Sequence, residues 1–217
     1  IRWRVKDLID AHIDDVTLDV LDIPVPKDVP VWNHTMYAVA GRNEAIQSVI
    51  KRFEEADIPL SVIDIPDTAQ RNIAALYEDA GSAIALLYLD RRQGLLTINY
   101  NRELYFTRRF DCPFEQLAGE DERLRDEARA RVLLEAQRSL DHFDRQFRSI
   151  PVSRLLVAPA PADTGLTAYL AAESGFAVQP VDLNEVIDFG GGPLDERLQW
   201  RLFHLIGASL RQEVKTL

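Results

Sequence analysis

The sequence predicts an α/β protein in which a three-stranded antiparallel meander leads into alternating helices and strands. Three strand-like segments follow one another within residues 83–110, and their connections are very short. From residue 119 onwards, helical and strand-like periodicities alternate up to residue 211. Hydrophobic residues occupy 47% of the 217 positions, so the chain can bury a substantial core.

The N-terminal part opens with residues 1–10, which have the character of the later part of a helix. We therefore expect the chain to be a fragment of a longer protein, truncated at its N-terminus. Three strands are predicted next, at 16–22, 35–41 and 59–66, from alternating or continuous apolar residues. The first two are separated by a loop with three prolines: Pro24, Pro26 and Pro30.

Two helices are predicted in the same part of the chain. The first follows Asn43, which is suited to be its N-cap, and carries one apolar face. That face consists of Ile46, Val49, Ile50 and Phe53. The second helix opens with Pro66 and Asp67 and is expected to stop at Gly81. Its inward residues are Ala69, Ile73 and Leu76.

The meander comprises strands predicted at 83–90, 94–100 and 103–110. The last two are joined by the two-residue turn 101–102, which is the length of a tight hairpin. Parallel strands need a crossover connection of a dozen or more residues. The three strands are therefore expected to be antiparallel neighbours.

A long helix is predicted at about 119–148, because apolar residues recur there at helical spacing. Its apolar stripe consists of Leu124, Ala128, Val132, Ala136, Leu140, Phe143 and Phe147. Acid–base pairs at i,i+4 indicate that the other faces of the helix meet solvent. A strand at 154–158, a helix at 163–174, a strand at 176–181 and a last helix at 194–211 complete the chain.

The predicted order over residues 83–211 is β-β-β-α-β-α-β-α, which is that of a ribonuclease-H-like domain. Actin-like ATPases contain two such domains with a nucleotide between them. We therefore predict an actin-like (ribonuclease-H-like) α/β fold. Residues 1–82 are expected to be the remainder of the first domain with an inserted subdomain, and residues 83–217 the second domain. Element order predicts the fold and leaves the function open.

Two segments of such a fold would touch a nucleotide, and the first is the turn between the first two meander strands. An Asp-x-Gly turn followed by small residues and Thr lets backbone N–H groups approach phosphate oxygens. Here Asp90 is present, but Arg92 stands where a glycine is expected; Gly94 and Thr97 follow. The bulky Arg92 side chain is expected to block the close approach, and an ordinary hairpin explains the turn equally well.

The second segment follows the predicted strand 154–158, where a Gly-Gly pair would let adenine and ribose lie against the backbone. This chain has Pro159 and Pro161 there, followed by Asp163. Each proline removes an N–H donor and fixes φ near about −65°. We therefore predict a vestigial nucleotide site with no cofactor and no catalytic residue, as in a pseudo-ATPase.

Two enzymatic alternatives stay open: an actin-like ATPase with unorthodox nucleotide contacts, and a metal-dependent nuclease. The nuclease would need carboxylates that converge on metal ions, for which Asp90, Asp163 and Glu135 are the candidates. A net charge of −10 disfavours nucleic-acid binding. The single cysteine, Cys112, excludes an internal disulfide framework. No apolar run is long enough for a membrane-spanning helix.

Several stretches of the sequence are specific enough to indicate a family. They are VIDIPDTAQRNIAAL (62–76), GLLTINYNRELYFTRRFD (94–111) and LLEAQRSLDHFDRQF (133–147), with the opening IRWRVKDLID and the strand VTLDVLDIP. These stretches resemble the MshI family of pilus biogenesis proteins, in order and across the whole chain. MshI is similar to PilM, the actin-like cytoplasmic protein of type IV pilus assembly. It is more distantly similar to the cytoplasmic domain of GspL in type II secretion.

The resemblance implies a non-catalytic cytoplasmic adaptor, peripheral at the inner-membrane face, in the biogenesis of an MSHA-type (mannose-sensitive haemagglutinin) type IV pilus. Such proteins dock the cytoplasmic tail of a bitopic inner-membrane partner and help to couple it to the pilus assembly ATPase. In PilM-like proteins the partner peptide lies against the inserted subdomain, which corresponds here to about 11–65. Apolar surface uncovered by an N-terminal truncation is also expected to let two copies pair as a homodimer.

Overall fold

The computed structural model describes residues 2–24 and 35–212. The predicted loop prolines Pro26 and Pro30 lie outside the described residues. The chain divides into two compact units, Ile1–Ile63 and Asp64–Leu217. The units therefore part well before residue 82, after which the sequence predicts the boundary between two actin-like domains.

The first unit is a β-hairpin followed by a helix. In chain order its elements are α1 (Arg2–Val5), 3₁₀ turns at Lys6–Leu8 and Ile13–Asp15, β1 (Val16–Asp22), β2 (Met36–Arg42) and α2 (Asn43–Glu55). β1 and β2 pair antiparallel, with Val16 opposite Arg42 and Asp22 opposite Met36. The strands predicted at 16–22 and 35–41 are confirmed.

The third strand predicted for this part of the chain, at 59–66, is wrong. Residues 58–65 have no regular secondary structure, and Ile58, Val62 and Ile63 are exposed. No strand of the described chain hydrogen-bonds to this segment. A strand needs such a neighbour for its backbone N–H and C=O groups, and an apolar pattern does not report whether the neighbour exists.

Asn43 has a different role from the predicted N-cap. It is the first residue of α2, and Arg42 occupies the cap position without a side-chain hydrogen bond. The Asn43 carboxamide accepts a hydrogen bond from Thr17 Oγ1 at 2.8 Å and donates one to the Asp14 carbonyl at 3.0 Å. Asn43 therefore ties the start of α2 to the start of β1.

The second unit is a five-stranded mixed sheet with packed helices. In chain order its elements are α3 (Pro66–Ala74), β3 (Ala83–Leu89), β4 (Gly94–Tyr100), β5 (Glu103–Phe110), α4 (Phe114–Ala118), α5 (Glu122–Gln146), β6 (Val152–Val157), α6 (Leu166–Glu173), β7 (Val178–Pro180), a 3₁₀ turn at Leu183–Glu185 and α7 (Glu196–Ser209). The strand order is β5-β4-β3-β6-β7. β3, β4 and β5 are antiparallel neighbours, whereas β6 and β7 run parallel to β3. The predicted meander and the alternation after it are confirmed.

Strand β3 forms the centre of the core, because every one of its residues is buried. Ile84, Leu86 and Tyr88 pack in one cluster with Ile73 of α3 and Phe203 of α7. The rings of Tyr88 and Phe203 are stacked, with their centroids 5.1 Å apart. A continuous apolar run with burial on both faces is typical of the central strand of such a sheet.

The long helix predicted at 119–148 is confirmed as α5, one continuous helix over Glu122–Gln146. A separate short helix, α4, precedes it and has no counterpart in the sequence prediction. α4 ends at Ala118, and Asp121 caps α5 by accepting a hydrogen bond from the Leu124 N–H at 3.2 Å. The predicted apolar stripe is buried from Ala128 onwards, but Leu124 is 48% exposed. The N-terminal end of α5 therefore extends beyond the core.

Helix α3 belongs to the second unit because it packs closely on α7. A Cβ atom at Gly207 would overlap the Ala69 carbonyl, so only glycine permits this approach. The Asn72 carboxamide also donates a hydrogen bond to the Gly207 carbonyl at 2.9 Å. This crossing explains why the compact units part ahead of α3.

The C-terminal end of α3 differs from the prediction. Ala69 and Ile73 are buried as predicted, but the helix ends at Ala74 rather than near Gly81. Leu76, which was predicted to point inward, lies in the following turn and is 37% exposed. The turn after α3 also contains apolar residues, so the helical spacing of apolar residues does not show where the helix ends.

Candidate functional site

A cleft of about 370 Å³ lies at the carboxyl ends of β3, β6 and β7. In open α/β sheets this edge is the usual place for a ligand. The polar residues that line it are Asp163, Thr164, Thr167, Asp182, Glu196 and Gln199. Its apolar walls include Phe114 and the segment Val157–Ala160. The cleft therefore lies where the sequence places the second nucleotide segment.

The first predicted nucleotide segment is a closed hairpin turn. Asp90 Oδ1 accepts hydrogen bonds from the backbone N–H groups of Arg92 at 2.6 Å and Gln93 at 2.8 Å. The Asp90 N–H in turn donates to the Gln93 carbonyl at 3.0 Å. The N–H groups that would face a phosphate in an actin-like site are thus bonded to the Asp90 carboxylate.

Gly94 and Thr97 have structural partners of their own. A Cβ atom at Gly94 would overlap the ring of Phe110, so glycine is needed here for packing between β4 and β5. Thr97 is fully buried. Its Oγ1 accepts hydrogen bonds from Gln70 Nε2 and Asn99 Nδ2, each at 3.1 Å. Neither residue lines the cleft.

Of the second predicted segment, Pro159 and Asp163 line the cleft, whereas Pro161 does not. Asp163 Oδ1 accepts a hydrogen bond from the Gly165 N–H at 2.8 Å, and Gly165 has a φ of 64°. This turn leads into α6. The proline at 159 presents no N–H group to the cleft.

Two of the cleft residues that sequence reasoning missed, Asp182 and Gln199, are bonded to each other. Gln199 is 2% exposed, and its Nε2 donates a hydrogen bond to Asp182 Oδ1 at 2.7 Å. The Asn184 N–H donates to the same oxygen at 3.0 Å. These hydrogen bonds, with that of Asn184 first, lower the pKa of Asp182, so this carboxylate is charged at neutral pH. A hydrogen bond between an irregular loop and the helix that follows it leaves no periodic signal in the sequence.

The cleft is acidic. Asp163, Asp182 and Glu196 contribute three carboxylates to its lining, and no lysine or arginine of the described chain lines it. A nucleoside triphosphate carries several negative charges and needs cations or aligned N–H groups. The arrangement therefore opposes a phosphate chain electrostatically.

Each carboxylate considered for a nuclease has hydrogen-bond or ion-pair partners of its own. Glu135 of α5 pairs with Arg108 at 3.2 Å and with Arg138 at 3.1 Å. Among the residues that the structure describes, no group of three or more His, Cys, Asp or Glu side chains could hold a metal ion. Asp90 and Asp163 accept hydrogen bonds from the backbone of their own turns.

A buried polar network joins α3, the sheet and α7 beside the hydrophobic cluster. Gln70 donates from Nε2 to the Leu86 carbonyl at 2.6 Å as well as to Thr97. The Gln70 Oε1 atom lies 3.4 Å from Nε2 of His204. The His204 ring packs edge-on against the Tyr88 ring, with their centroids 4.4 Å apart. Burial lowers the pKa of His204 to about 4. The histidine is therefore neutral at physiological pH, and the network has a structural role.

In residues 11–65, where the family resemblance implies partner docking, the apolar face of α2 is half-buried. This face consists of Ile46, Val49, Ile50 and Phe53, and no residue of α2 is fully buried. Ile46 packs closely against Gly41 of β2. The sheet of this unit has only two strands in the described chain. In the described part of this unit, the α2 face is therefore not fully covered, and each strand of the sheet has one edge without a strand neighbour.

No protein-family model matches the chain, and no curated protein matches it. A chain of the solved PilM–PilN type IV pilus biogenesis complex superimposes on it with a TM-score of 0.69 and 17% identity. The match covers 96% of this chain and 69% of the other. The fold is actin-like. The superposition and the sheet of the second unit agree with the fold class that the sequence predicts.

A second solved structure has a much weaker likeness. It is a Bacteroides thetaiotaomicron protein with an actin-like ATPase fold and unknown function, at a TM-score of 0.47 and 8% identity. The match covers 86% of this chain and 60% of that protein. A likeness at this level carries no argument about the site. No helix in the described part of the chain is long and apolar enough to cross a membrane.

Proposed function

We propose that this protein is a non-catalytic cytoplasmic scaffold of MSHA-type pilus biogenesis, related to the MshI family. It docks the cytoplasmic tail of a bitopic inner-membrane protein and couples it to the pilus assembly ATPase. The observation that carries the proposal is the likeness to a chain of the PilM–PilN complex over nearly the whole chain. The sequence stretches that resemble MshI support it independently.

The first unit supplies the docking region in this proposal. The half-buried face of α2 and the two-stranded sheet β1–β2 both lie within residues 11–65. A two-stranded sheet is marginally stable by itself. An extended segment can add to an open sheet edge, and an amphipathic helix can lie on an apolar face. A partner tail that binds here therefore gains affinity and stabilises the unit at the same time.

The second unit is expected to act without nucleotide. The Asp90 carboxylate occupies the N–H groups of its turn, Pro159 lacks an N–H group, and the cleft carries three carboxylates. Each feature removes an attraction for phosphate or adds a repulsion. The position of the cleft at the carboxyl edge of the sheet favours one alternative, an actin-like ATP-binding protein with unorthodox nucleotide contacts.

A pair of variants tests whether the apolar face of α2 is the docking surface. Val49→Asp places a charge on the proposed docking face of α2, and Ser48→Asp places the same charge on the exposed side of the same helix. We expect Val49→Asp to abolish co-purification with the PilN-type membrane partner and to abolish piliation, while Ser48→Asp retains both. A result in which Val49→Asp binds and complements normally would remove residues 11–65 as the docking region.

The cleft variant Asp163→Ala tests the nucleotide alternative in the same cells. We expect it to support piliation fully, and we expect calorimetry with Mg-ATP to give no heat of binding to the wild-type chain. Saturable binding of Mg-ATP together with loss of pili in Asp163→Ala would establish the ATP-binding alternative instead.

A further inference from the structure

A groove of about 460 Å³ lies between α4 and the first turns of α5, away from the cleft described above. α4 is anchored to the core by Phe114 and Leu117, which are 7% and 1% exposed. Glu115 and Gln116 lie on the groove side of α4, and the loop at Gly119 closes the end. The groove is therefore a surface feature of two helices that the core holds in place.

The floor of the groove is the point at which the apolar stripe of α5 leaves the core. Val132 and Ala128 of this stripe are 0% and 2% exposed, but Leu124, one turn earlier, is 48% exposed. Leu124 and Ala128 both line the groove. The apolar surface of α5 is thus continuous from the core to the groove. A leucine exposed to this extent on an otherwise charged helix end provides an anchoring contact for an apolar side chain.

The rim of the groove is strongly acidic. Four carboxylates line it, from Glu115, Glu120, Asp121 and Glu127. The one guanidinium of the lining, that of Arg131, donates hydrogen bonds to the Asp111 carbonyl and to Gln116 Oε1 and is held in the wall. Within the described chain, no hydrogen bond or ion pair engages the carboxylates of Glu115 and Glu120, which are therefore available to a cation.

We propose that this groove binds an amphipathic helix of a partner protein whose apolar side chain packs on Leu124 and whose flanking lysines or arginines face Glu115 and Glu120. A groove with an apolar floor and charged edges is the usual receptor for such a helix. The acidic rim attracts a basic segment and repels an acidic one, so the partner helix is expected to carry a positive charge. The proposal does not depend on the pilus function, because it rests on this surface alone.

The charge of the rim also decides against two other classes of partner. The cytoplasmic leaflet of a membrane carries a negative surface potential, and nucleic acids carry phosphate charges, so both are repelled.

The test uses a fluorescein-labelled synthetic helix of about 18 residues, long enough to form a helix on binding, with leucines on one face and lysines on the other. Its affinity is measured by fluorescence anisotropy for the wild-type chain and for Leu124→Ala. We expect Leu124→Ala to weaken binding about tenfold, because one apolar contact is lost. Leu134→Ala is the matched control, since Leu134 is 44% exposed on the same helix but lies outside the groove. It should bind as the wild type does.

A second pair of variants tests the charge. Glu115→Gln with Glu120→Gln removes two rim charges, and Asp141→Asn with Asp144→Asn removes two charges from the far end of α5. We expect only the first pair to weaken binding, and we expect a peptide with glutamate in place of lysine not to bind. Equal effects of the two pairs would show non-specific attraction to an acidic protein and would overturn the proposal.

The groove could instead be occupied by a second copy of the chain. Sedimentation equilibrium of the wild type and of Leu124→Ala distinguishes this dimer from the proposed partner helix. A monomer in both cases supports the proposed partner helix. A dimer that Leu124→Ala dissociates would overturn the proposal, because the groove would then be an interface between copies.

Discussion

The two compact units of this chain are built in opposite ways. In the second unit the central strand β3 is buried along its whole length and packs against α3 and α7. In the described part of the first unit, the fully buried apolar residues are Val5, Val16 and Ile23. The first unit thus has a hairpin and a helix with almost no interior, whereas the second has a continuous core.

Because of this difference, the second unit is expected to be stable and rigid, whereas the first unit can rearrange more easily. A buried central strand with close-packed rings keeps one geometry, because any change of volume in such a core costs free energy. A two-stranded sheet with a half-buried helix has less free energy to lose when a partner rearranges it. In the proposed scaffold, the second unit is therefore suited to be the rigid frame, and the first unit is suited to bind the partner.

The largest expected effect comes from removing an aromatic ring in each unit. Phe203→Ala should lower the free energy of unfolding of the second unit by about 3–5 kcal/mol, because a fully buried ring leaves a cavity. Phe53→Ala on the half-buried face of α2 should cost about 1 kcal/mol, because less apolar area is lost. Urea unfolding followed by fluorescence of the buried Trp200 measures the first, and hydrogen exchange of α2 measures the second.

The outcome that would contradict the comparison is equal loss of stability from the two changes. It would mean that the first unit is as well packed as the second. A partner tail added in excess should increase the protection of α2 from hydrogen exchange in the wild type. Phe203→Ala should show the same increase.

A smaller effect concerns the pH dependence of the second unit. Burial lowers the pKa of His204 to about 4, whereas the unfolded chain takes up this proton near about pH 6.5. The unfolded state therefore binds more protons below that pH, and stability falls as the pH drops from about 6.5 to about 4. Between pH 7 and pH 5 this histidine should reduce the free energy of unfolding by about 2 kcal/mol.

His204→Gln is the variant for this measurement, because glutamine keeps a donor near Gln70 and does not titrate. Urea unfolding at pH 7 and pH 5 should show a smaller difference for His204→Gln than for the wild type. If both proteins lose the same free energy, the pH dependence comes from carboxylates and not from His204.

The smallest expected effect is local to the first unit. Asn43→Ala removes the hydrogen bonds to Thr17 and Asp14 and should destabilise the contact between α2 and β1 by about 1 kcal/mol. Amide exchange in residues 36–55 should become about fivefold faster, while exchange in β3 is unchanged. Gln47→Ala, on the exposed side of α2, is the control and should leave exchange unaltered.

Much of the second unit could be predicted because its elements carry strong local signals. The meander follows from two short connections, and the turn at Asn101 and Arg102 has the positive φ values that a two-residue hairpin needs. The stripe of α5 follows from its helical spacing. The prediction at 59–66 failed because an apolar run does not say whether a neighbouring strand is present to pair with it.

The sequence pattern predicts only some of the residues of the candidate site. Asp163 and Pro159 were named from their place after a predicted strand, and both line the cleft. Asp182 and Gln199 were missed, because only the fold of the loop after β7 against α7 brings their side chains together. The sequence pattern predicts a nucleotide contact for Thr97, yet this residue is a buried member of the polar network around Gln70.

The sequence by itself determined the fold class, the meander with the alternating strands and helices after it, and the absence of glycines where a nucleotide would need them. These properties depend on residue type and on spacing within a few turns of chain. Only the tertiary structure decided that α3 packs on α7 at Gly207, that the cleft is acidic, and that Leu124 emerges from the core into a groove. The first two depend on contacts between segments distant in sequence. The third depends on how much of the α5 stripe the packed core covers.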